Sequence, residues 1–462
     1  MTPLLVLDIP GLTRNLLSRF PRQARNVATL AGEGSSCPLV PVLPAVTCPV
    51  QSTFLTGLLP REHGVVANGW YFRDLARVHF WEQSNALVQG EKIWQAGKKR
   101  DRSFTSAQLF WWFNMYSGND VAVTPRPAHA ADGSLLSLTY TDPPELAHEL
   151  DAAFGRFPLF KFWGPDAGIK STHWIEKCAL HVLRQFSPTL TLVYLPHLDY
   201  NLQRLGPDDL RIADDLEAVD QAAGHLIEAA RGKGSQVVVL SEYGMSQVDG
   251  AVDINRVLRR GGYLRAQEQA GWELLDCGAS RAFAVADHQA AHVYVKEPGD
   301  VQGVRSLLEK TAGIERVLEQ DGLRQAGLDH PRAGELLALS APDKWFTYYY
   351  WENDTKCPPW AHEVDIHRKP GYDPVELFLD PAARLAVPRI LGRLALRRLG
   401  FRVTVMDFIP CDSSLVRGSH GRLPDDPEAG PLLIAPPGSG VPERMAATEV
   451  KGFLLKLIFE RS

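Results

Sequence analysis

The sequence predicts an α/β fold, a three-layer sandwich in which helices cover both faces of a mostly parallel sheet. Apolar strand patterns alternate with helical patterns, most regularly between residues 172 and 240, and this alternation is typical of a parallel sheet. The chain has 462 residues, of which 45% are hydrophobic, so it can bury one large core. We therefore expect a single domain over residues 1–462 that carries inserted segments.

Composition excludes several classes of protein. The formal net charge of −5 leaves no basic field of the kind that binds a nucleic acid polymer. Six cysteines without C-x-x-C pairs argue against a zinc ribbon and a disulfide framework, and they suit a reducing compartment. The N-terminus lacks the basic region of a signal peptide, and no window approaches the roughly 18 apolar residues of a membrane span. We therefore expect a cytoplasmic protein, of unknown oligomeric state, that acts on a small molecule.

The first strand and helix follow from hydrophobic periodicity. Residues 3–7 form a continuous apolar strand that runs into Asp8, and residues 12–20 follow at helical spacing. An acidic residue at the carboxyl end of the first strand of an open α/β sheet lies where ligands usually bind. Taken alone, an aspartate after a strand is more often a turn or cap residue.

The segment 39–71 contains the most informative pattern. A short apolar strand over 39–43 is followed by a turn that carries Thr47, and then by a helix that begins at Pro49 and ends near Gly57. A hydroxyl residue before such a helix can simply cap it. Alternatively, the helix N-terminus binds an anionic phosphate, and the Thr47 oxygen is positioned as a nucleophile.

Two regions are expected to be insertions. Residues 71–165 are irregular and aromatic, which suits a lid or substrate pocket, and residues 250–344 change to shorter elements, which suits a cap. The C-terminal segment 450–462 is apolar on one face at helical spacing and is expected to dock on the main body as a terminal helix rather than on a membrane. The other predicted elements are helices at 172–186, 208–231, 301–310 and 381–399, and strands at 190–195, 236–240, 282–285, 292–295, 335–339, 375–379 and 403–408.

A resemblance decides between the two interpretations of Thr47. The pattern T-x-P-x-x-x-x-x-x-T-G-x-x-P-x-x-H-G-x-x-x-N resembles the nucleophile segment of the nucleotide pyrophosphatase/phosphodiesterase branch of the alkaline phosphatase superfamily, and it is formed here by Thr47, Pro49, Thr56, Gly57, Pro60, His63, Gly64 and Asn68. The resemblance implies an alkaline-phosphatase-like fold. It also implies that Thr47 binds a metal ion and attacks phosphorus, with Gln51 and Asn68 as substrate-binding residues.

The same resemblance implies a set of metal ligands along the chain. Two divalent ions about 4 Å apart would activate the nucleophile and stabilise the leaving group. Gln203 and Tyr243 stand where the family has histidines, and both are poor replacements for imidazole. The remaining ligand positions are filled by Asp8, Thr47, Asp199, Glu242 and His420.

Other residues are available to replace the missing histidines. Asp365 and His367 lie in a polar turn at a spacing that places them on one side of an extended segment, although a solvated polar loop is the alternative. His197 precedes Asp199 and would serve only if the loop turns differently. His288 is a further reserve, since it follows an aspartate and precedes a strand.

The sequence thus predicts a metal-dependent phosphodiesterase or nucleotide pyrophosphatase-like hydrolase with two divalent ions, zinc first, and manganese or magnesium as the oxygen-preferring alternative. A phosphomonoesterase of the same superfamily is one alternative, because the motif does not fix the ester type. A degenerate member that binds a phosphorylated ligand without turnover is the other, since loss of two histidines is the pattern expected of a decayed site.

Overall fold

A nine-stranded sheet forms the centre of the computed structural model, which describes residues 1–130, 135–381, 388, 391–393, 395–396, 399–401 and 408–460. The strands of this sheet, numbered along the chain, are β1 (Leu4–Asp8), β2 (Ser35–Val40), β3 (Ser106–Leu109), β4 (Val121–Pro125), β5 (Thr139–Asp142), β6 (Leu190–Tyr194) and β7 (Gln236–Leu240). Four strands of a second sheet come next: β8 (Ala282–Asp287), β9 (Ala290–Val295), β10 (Ile314–Leu318) and β11 (Leu336–Ser340). The central sheet is completed by β12 (Leu432–Ala435) and β13 (Met445–Ala446).

The strands of the central sheet follow the order β13-β2-β12-β7-β1-β6-β3-β4-β5. The consecutive neighbours from β7 to β4 are parallel, whereas β2–β12, β12–β7 and β4–β5 are antiparallel. Every residue of β1 and of β6 is buried. Both strands are covered on their two faces, and strands of this kind are apolar along most of their length. The predicted α/β class with a mostly parallel sheet is confirmed.

Helices flank the central sheet, and two of them, Ile212–Gly232 and Val450–Phe459, contact β1. The helices are α1 (Arg14–Arg19), α2 (Arg25–Glu33), α3 (Thr47–Thr56), α4 (Pro60–His63), α5 (Ile93–Arg100), α6 (Leu146–Phe154), α7 (Leu159–Phe162), α8 (Ile169–Gln185), α9 (His197–Leu205), α10 (Ile212–Gly232), α11 (Ile254–Arg260), α12 (Val301–Glu309), α13 (Gln320–Gln325) and α14 (Val450–Phe459).

The C-terminal helix α14 docks on the main body, as predicted. Phe453, Leu454 and Ile458 are buried in the principal hydrophobic core, and the helix packs against α3 and α5. None of the helices in the described ranges combines the length and the apolar character that crossing a bilayer requires. All six cysteines are unpaired.

The second sheet has the order β8-β9-β11-β10 and encloses a hydrophobic core of its own. Its β8–β9 hairpin turns at His288 and Gln289, and the Gln289 N–H donates to the His420 carbonyl at 2.8 Å. The tip of this sheet therefore reaches the loop that carries His420. Five short strand pairs complete the described structure: Gly69–Phe72 with Arg77–Phe80, Ala128–His129 with Leu135–Leu136, Ser246–Gln247 with Gly418–Ser419, Gly250–Val252 with Lys344–Phe346, and Ala266–Gln269 with Trp272–Leu275.

Some predicted elements differ from the structure. The region 71–165, predicted as a lid or pocket insertion, also supplies β3, β4 and β5 of the central sheet. The strand predicted over 375–379 is wrong, because Pro374–Leu377 form a 3-10 helix whose first turn is capped by the Asp373 side chain. The predicted helix over 381–399 and strand over 403–408 lie largely outside the described residues.

His63, one of the motif residues, is fully buried and contacts helix α3 at Thr53. Its Nδ1 accepts the Val65 N–H at 3.1 Å, so the proton is on Nε2, which lies 3.0 Å from the Thr53 hydroxyl oxygen. Burial lowers the pKa of His63 to about 3. The neutral imidazole thus connects the segment after α4 to the middle of the buried helix α3.

This arrangement predicts a pH-dependent contribution to stability. The pKa of His63 in the folded chain lies below its unfolded value, so the stability that it contributes is complete above that unfolded value, near pH 6.5, and declines as the pH falls toward 3. The stability advantage of wild type over His63→Gln should therefore shrink by up to about 1.4 kcal/mol per pH unit below pH 6.5. Urea midpoints at pH 7, 6 and 5 measure it. The exposed His148→Gln is the control, and an equal slope in both variants would contradict the assignment.

Candidate functional site

Three acidic residues meet at one edge of the central sheet. Asp8 ends β1, Glu242 follows β7, and Asp199 lies in the first turn of α9 after β6. Residue Asp8 is in register with Tyr194 of β6 and with Leu240 of β7. Because parallel strands end at the same edge of a sheet, the three carboxyl groups converge where ligands bind in open α/β folds.

Thr47 lies beside these carboxyl groups as the first residue of α3. The N-cap residue is Val46, whose backbone is extended, so the interpretation of Thr47 as a simple cap is wrong. The helix starts earlier than predicted, since a proline is tolerated throughout the first turn. The Thr47 hydroxyl lies close enough to the Glu242 carboxyl group and to the Tyr243 hydroxyl to lower the pKa of each. All ten residues of α3 are buried, so the surrounding packing fixes the position of the helix that carries Thr47.

Asp8 and Glu242 form a fully buried carboxyl pair. Gln51 Nε2 donates to Asp8 Oδ2 at 3.0 Å and to Glu242 Oε1 at 2.6 Å, and Gln51 Oε1 accepts the Trp112 N–H at 2.8 Å. Burial raises the pKa of Asp8 to about 7, and burial together with the neighbouring Asp8 charge raises the pKa of Glu242 well above its usual value. Without a cation, the pair therefore retains a proton near neutral pH. Gln51, predicted to bind substrate phosphate, uses its amide to hold this pair.

The carboxyl pair fits an oxygen-liganded divalent ion. Asp8 Oδ1 and Glu242 Oε2 are buried and have no hydrogen-bond partner. Together with the Thr47 hydroxyl they supply oxygen donors, which hard cations such as magnesium and manganese prefer. An ion here would replace the retained proton and allow both buried carboxyl groups to ionise.

The second predicted metal position is built differently. Asp199 Oδ1 accepts the Tyr243 hydroxyl at 3.1 Å, and Asp199 Oδ2 accepts Gln203 Nε2 at 2.5 Å. The Tyr372 hydroxyl donates to Gln203 Oε1 at 2.8 Å, which fixes the amide with its nitrogen toward Asp199. Neutral donors occupy both oxygens of Asp199, whose pKa burial raises to about 6. The residues at this position do not fit a second metal ion.

His420 and His288 lie in a column of stacked rings. The His420 ring is 3.5 Å from the Tyr243 ring and 3.7 Å from the His288 ring, and His288 in turn is 3.8 Å from Tyr372. His420 Nδ1 is 2.8 Å from the Ala45 carbonyl oxygen, and burial lowers the pKa of His420 to about 3. Burial also lowers the pKa of His288, whose buried Nδ1 has no partner. Both imidazoles are therefore neutral near pH 7.

Asn68, predicted to bind substrate, holds the first turn of α3 through its side chain. Its Oδ1 accepts the Cys48 N–H at 2.9 Å, while its N and Nδ2 donate to the two oxygens of Asp287 at 2.8 and 3.1 Å. Burial raises the pKa of Asp287 to about 7. The first turn of α3 is thus connected through Asn68 to the β8–β9 hairpin.

The proposed replacement ligands have other partners. The Asp365 carboxylate pairs with Arg368, and His367 Nδ1 lies 3.3 Å from the Phe80 carbonyl oxygen. Ile366, the residue between them, lines the cavity described below, so its neighbours are directed elsewhere. His197 turns to α10, where its Nε2 lies 3.1 Å from Asp215 Oδ1. Of the reserve residues, His288 alone lines the cavity.

A cavity of about 60 Å³ opens above Thr47, Asp199 and His420. By this measure a single water needs roughly 10–15 Å³, so the cavity accommodates a group several times larger. Its walls are largely aromatic, and the sequence indicated this only through the aromatic character of 71–165. The Trp, Phe and Tyr residues of the wall are Trp81, Trp112, Phe162, Trp163, Tyr194, Tyr200, Tyr243 and Tyr372. Nothing in the sequence indicated that Tyr372 lines the cavity, although it lies only a few residues after Asp365 and His367.

Known proteins with similar sequences are described as pyrophosphatases/phosphodiesterases. A family model described as type I phosphodiesterase / nucleotide pyrophosphatase matches residues 4–373. An uncharacterized pyrophosphatase/phosphodiesterase of Schizosaccharomyces pombe is 24% identical over 251 residues, which are 52% of this chain and 44% of that protein. Ectonucleotide pyrophosphatase/phosphodiesterase family member 3 of Bos taurus is 21% identical over 257 residues, 54% of this chain and 25% of that protein. The match thus spans less than half the length of either curated relative.

Solved structures share the fold over nearly the whole chain. Phosphonoacetate hydrolase from Sinorhizobium meliloti 1021, in complex with phosphonoacetate, has a TM-score of 0.63 at 13% identity and covers 99% of this chain and 96% of that chain. Murine ectonucleotide pyrophosphatase/phosphodiesterase 5 has a TM-score of 0.59 at 15% identity and covers 99% and 95%. An inactive form of the murine protein was solved in complex with AMP. The predicted fold and the resemblance inferred from the Thr47 motif are both confirmed.

Proposed function

The chain belongs to the type I phosphodiesterase/nucleotide pyrophosphatase family, and on this premise we propose that it is a phosphodiester hydrolase whose nucleophile is Thr47. The family and its named members are hydrolases of the phosphodiesterase and pyrophosphatase type that generally depend on divalent metal ions. We further propose that this chain uses one oxygen-liganded ion, magnesium or manganese, where two were predicted.

One observation carries the proposal: the Thr47 hydroxyl lies at the start of a buried helix, next to two carboxyl groups that each retain an unpartnered oxygen. A structural threonine would satisfy its hydroxyl with a backbone group, as Thr53 and Thr56 of the same helix do through the Pro49 and Ser52 carbonyls. The Thr47 hydroxyl instead faces acidic groups. This is the arrangement that an activated oxygen nucleophile requires.

The residues suggest the following steps. The substrate phosphoryl group is received at the N-terminus of α3, where the helix dipole favours negative charge. The carboxyl pair of Asp8 and Glu242, in its ionised state, accepts the Thr47 proton. The Thr47 oxygen then forms a bond to phosphorus while the bond from phosphorus to the leaving alcohol breaks. The leaving oxygen takes up a proton, and water later hydrolyses the phosphothreonine to restore Thr47.

The neighbouring groups hold and shape the site. A divalent ion bound by Asp8, Glu242 and Thr47 would lower the pKa of the hydroxyl and neutralise developing charge. Tyr243 is oriented by its hydrogen bond to Asp199, so its hydroxyl stays beside Thr47. The aromatic walls suit a flat apolar substituent on the ester, which favours a diester over a monoester.

The hydrogen bonds of Asp199 support a second candidate function, the binding of a phosphorylated ligand. Because Tyr243 and Gln203 occupy both oxygens of Asp199, the position of the second metal ion is filled by neutral hydrogen bonds. A protein that binds a phosphorylated ligand without turnover would have this arrangement. Turnover distinguishes the two functions.

The test is a hydrolysis assay on metal-depleted protein with bis(p-nitrophenyl) phosphate and p-nitrophenyl phosphate, each with added magnesium, manganese or zinc. We expect cleavage of the diester that is restored by manganese or magnesium and lost in Glu242→Gln. The exposed Glu228→Gln is the matched control and should behave as wild type. Absence of turnover with every ion, together with retained binding of a phosphate ester in calorimetry, would favour the binding function instead.

A further inference from the structure

A second group of ligand-type side chains lies apart from the candidate site. Cys357, His362 and Cys411 each place one sulfur or nitrogen within 4.8 Å of the others. Cys357 Sγ lies 3.2 Å from His362 Nε2, and Cys411 Sγ lies 3.8 Å from His362 Nδ1. It is the one group of three or more histidine, cysteine or acidic side chains found at such distances in the described part of the chain.

The histidine is oriented as metal-bound histidines usually are. His362 Nδ1 is 2.9 Å from the Ile409 carbonyl oxygen, to which it donates its proton. Nε2 is then the nitrogen left for a metal ion, and it faces the Cys357 sulfur at 3.2 Å. A backbone carbonyl that accepts the other ring N–H fixes the tautomer and the ring plane, which is a common feature of metal sites. This contact is independent of the clustering itself.

We propose that Cys357, His362 and Cys411 bind one zinc ion. Two thiolates and one imidazole form a soft to borderline donor set, which zinc binds at tetrahedral sites. Three protein ligands would leave one coordination position for a water molecule, and two of the three residues, His362 and Cys411, are partly exposed. A disulfide between the two cysteines would not explain why the His362 ring is oriented with Nε2 toward the sulfur of Cys357.

The ion would connect two segments that both reach the candidate site. The segment after His362 carries Ile366 and Tyr372, which line the cavity, and the segment after Cys411 leads to His420. A zinc ion shared by these segments would hold two walls of the cavity at a fixed separation. The proposal does not depend on Thr47 chemistry, because the zinc ligands are a different set of residues.

The first experiment measures zinc in protein purified under reducing conditions, by elemental analysis and by release with a thiol-modifying mercurial and a zinc-sensitive dye. We expect one zinc ion per chain that is lost in Cys357→Ser and in Cys411→Ser. Cys277→Ser, which alters a partly exposed cysteine outside the group, should keep the ion. Glu242→Gln should also keep it, which separates this site from the ion proposed at the carboxyl pair.

A second measurement covers the case in which a serine variant does not fold. Cobalt substituted into wild-type protein should show thiolate-to-cobalt charge-transfer absorption, and iodoacetamide modification of Cys357 and Cys411 should be suppressed by zinc. Reduced wild-type protein that takes up neither zinc nor cobalt at these cysteines would overturn the proposal. A Cys357–Cys411 disulfide in peptide maps of the freshly purified, non-reduced protein would likewise overturn it.

Discussion

Replacement of Thr47 by alanine should lower the rate of phosphodiester hydrolysis by at least about 10³-fold, because it removes the proposed nucleophile. The substitution deletes a hydroxyl and a methyl group at the first position of α3, and Val46 remains as the N-cap. The fold should therefore persist. The measurement is kcat/KM for bis(p-nitrophenyl) phosphate with manganese, accompanied by the thermal midpoint of each variant.

Two companion variants separate chemistry from packing. Thr47→Ser keeps the oxygen and should retain measurable activity, together with a phosphorylated enzyme detectable by intact mass after acid quench. Thr56→Ala removes a buried hydroxyl at the other end of the same helix and should leave the rate close to wild type. A Thr47→Ala enzyme that hydrolyses the diester at the wild-type rate would rule out covalent catalysis by this residue.

The substitution Lys369→Met should destabilise the folded chain by roughly 3–5 kcal/mol. Lys369 Nζ lies 2.7 Å from Asp373 Oδ2 and 2.7 Å from Glu376 Oε1, and side-chain exposures are 1%, 3% and 0% for the three residues. Glu376 also accepts the Trp163 indole N–H and the Asp365 backbone N–H. Removal of the single cation leaves two buried carboxylates without compensation. Urea unfolding followed by circular dichroism measures the loss.

The pH dependence identifies the cause of this loss. Burial raises the pKa of Glu376 to about 6 even beside Lys369, and loss of this cation removes an interaction that lowers that pKa. A carboxyl group with a raised pKa in the folded chain stabilises it most at low pH, and this stability is lost as the pH rises. The gap between wild type and variant should therefore be wider at pH 8 than at pH 5. Lys356→Met, which removes one partner of an exposed pair with Glu268, should cost within about 1 kcal/mol. A pH-independent gap would show that lost packing, not buried charge, dominates.

The central strands were predictable because each is covered on both faces. Strands β1, β6 and β7 are continuous apolar runs, and the predicted bounds agree with the observed ones to within one residue. By contrast, β3, β4 and β5 were not predicted, because short strands in an aromatic and irregular region have no clear period. The apolar run 375–379 resembles a strand in sequence, yet Pro374 and the Asp373 cap close it into a 3-10 turn.

For the candidate site, the sequence identified the residues that follow the strands. Asp8, Asp199 and Glu242 converge because they end or follow three neighbouring parallel strands. Thr47 and His420 lie on other elements, and it was the resemblance that identified them. The partners that complete the site come from distant segments. Tyr372 reaches Gln203 across 169 residues of sequence, and no local pattern specifies such a contact. Asp365 and His367 are residue types that bind metal ions, but in this turn it is the intervening Ile366 that faces the cavity.

The contact of Asn68 with Asp287 has a consequence for chimaeric proteins. Helix α3 is linked through Asn68 to the β8–β9 hairpin, since Asn68 accepts from Cys48 and donates two hydrogen bonds to Asp287. The same hairpin supplies His288 to the cavity. An exchange of residues 250–344 with a relative would therefore alter the environment of Thr47 without any change in segment 39–71. Segment 39–71 and the hairpin need to be exchanged as a unit, because neither contains the full set of contacts that positions Thr47.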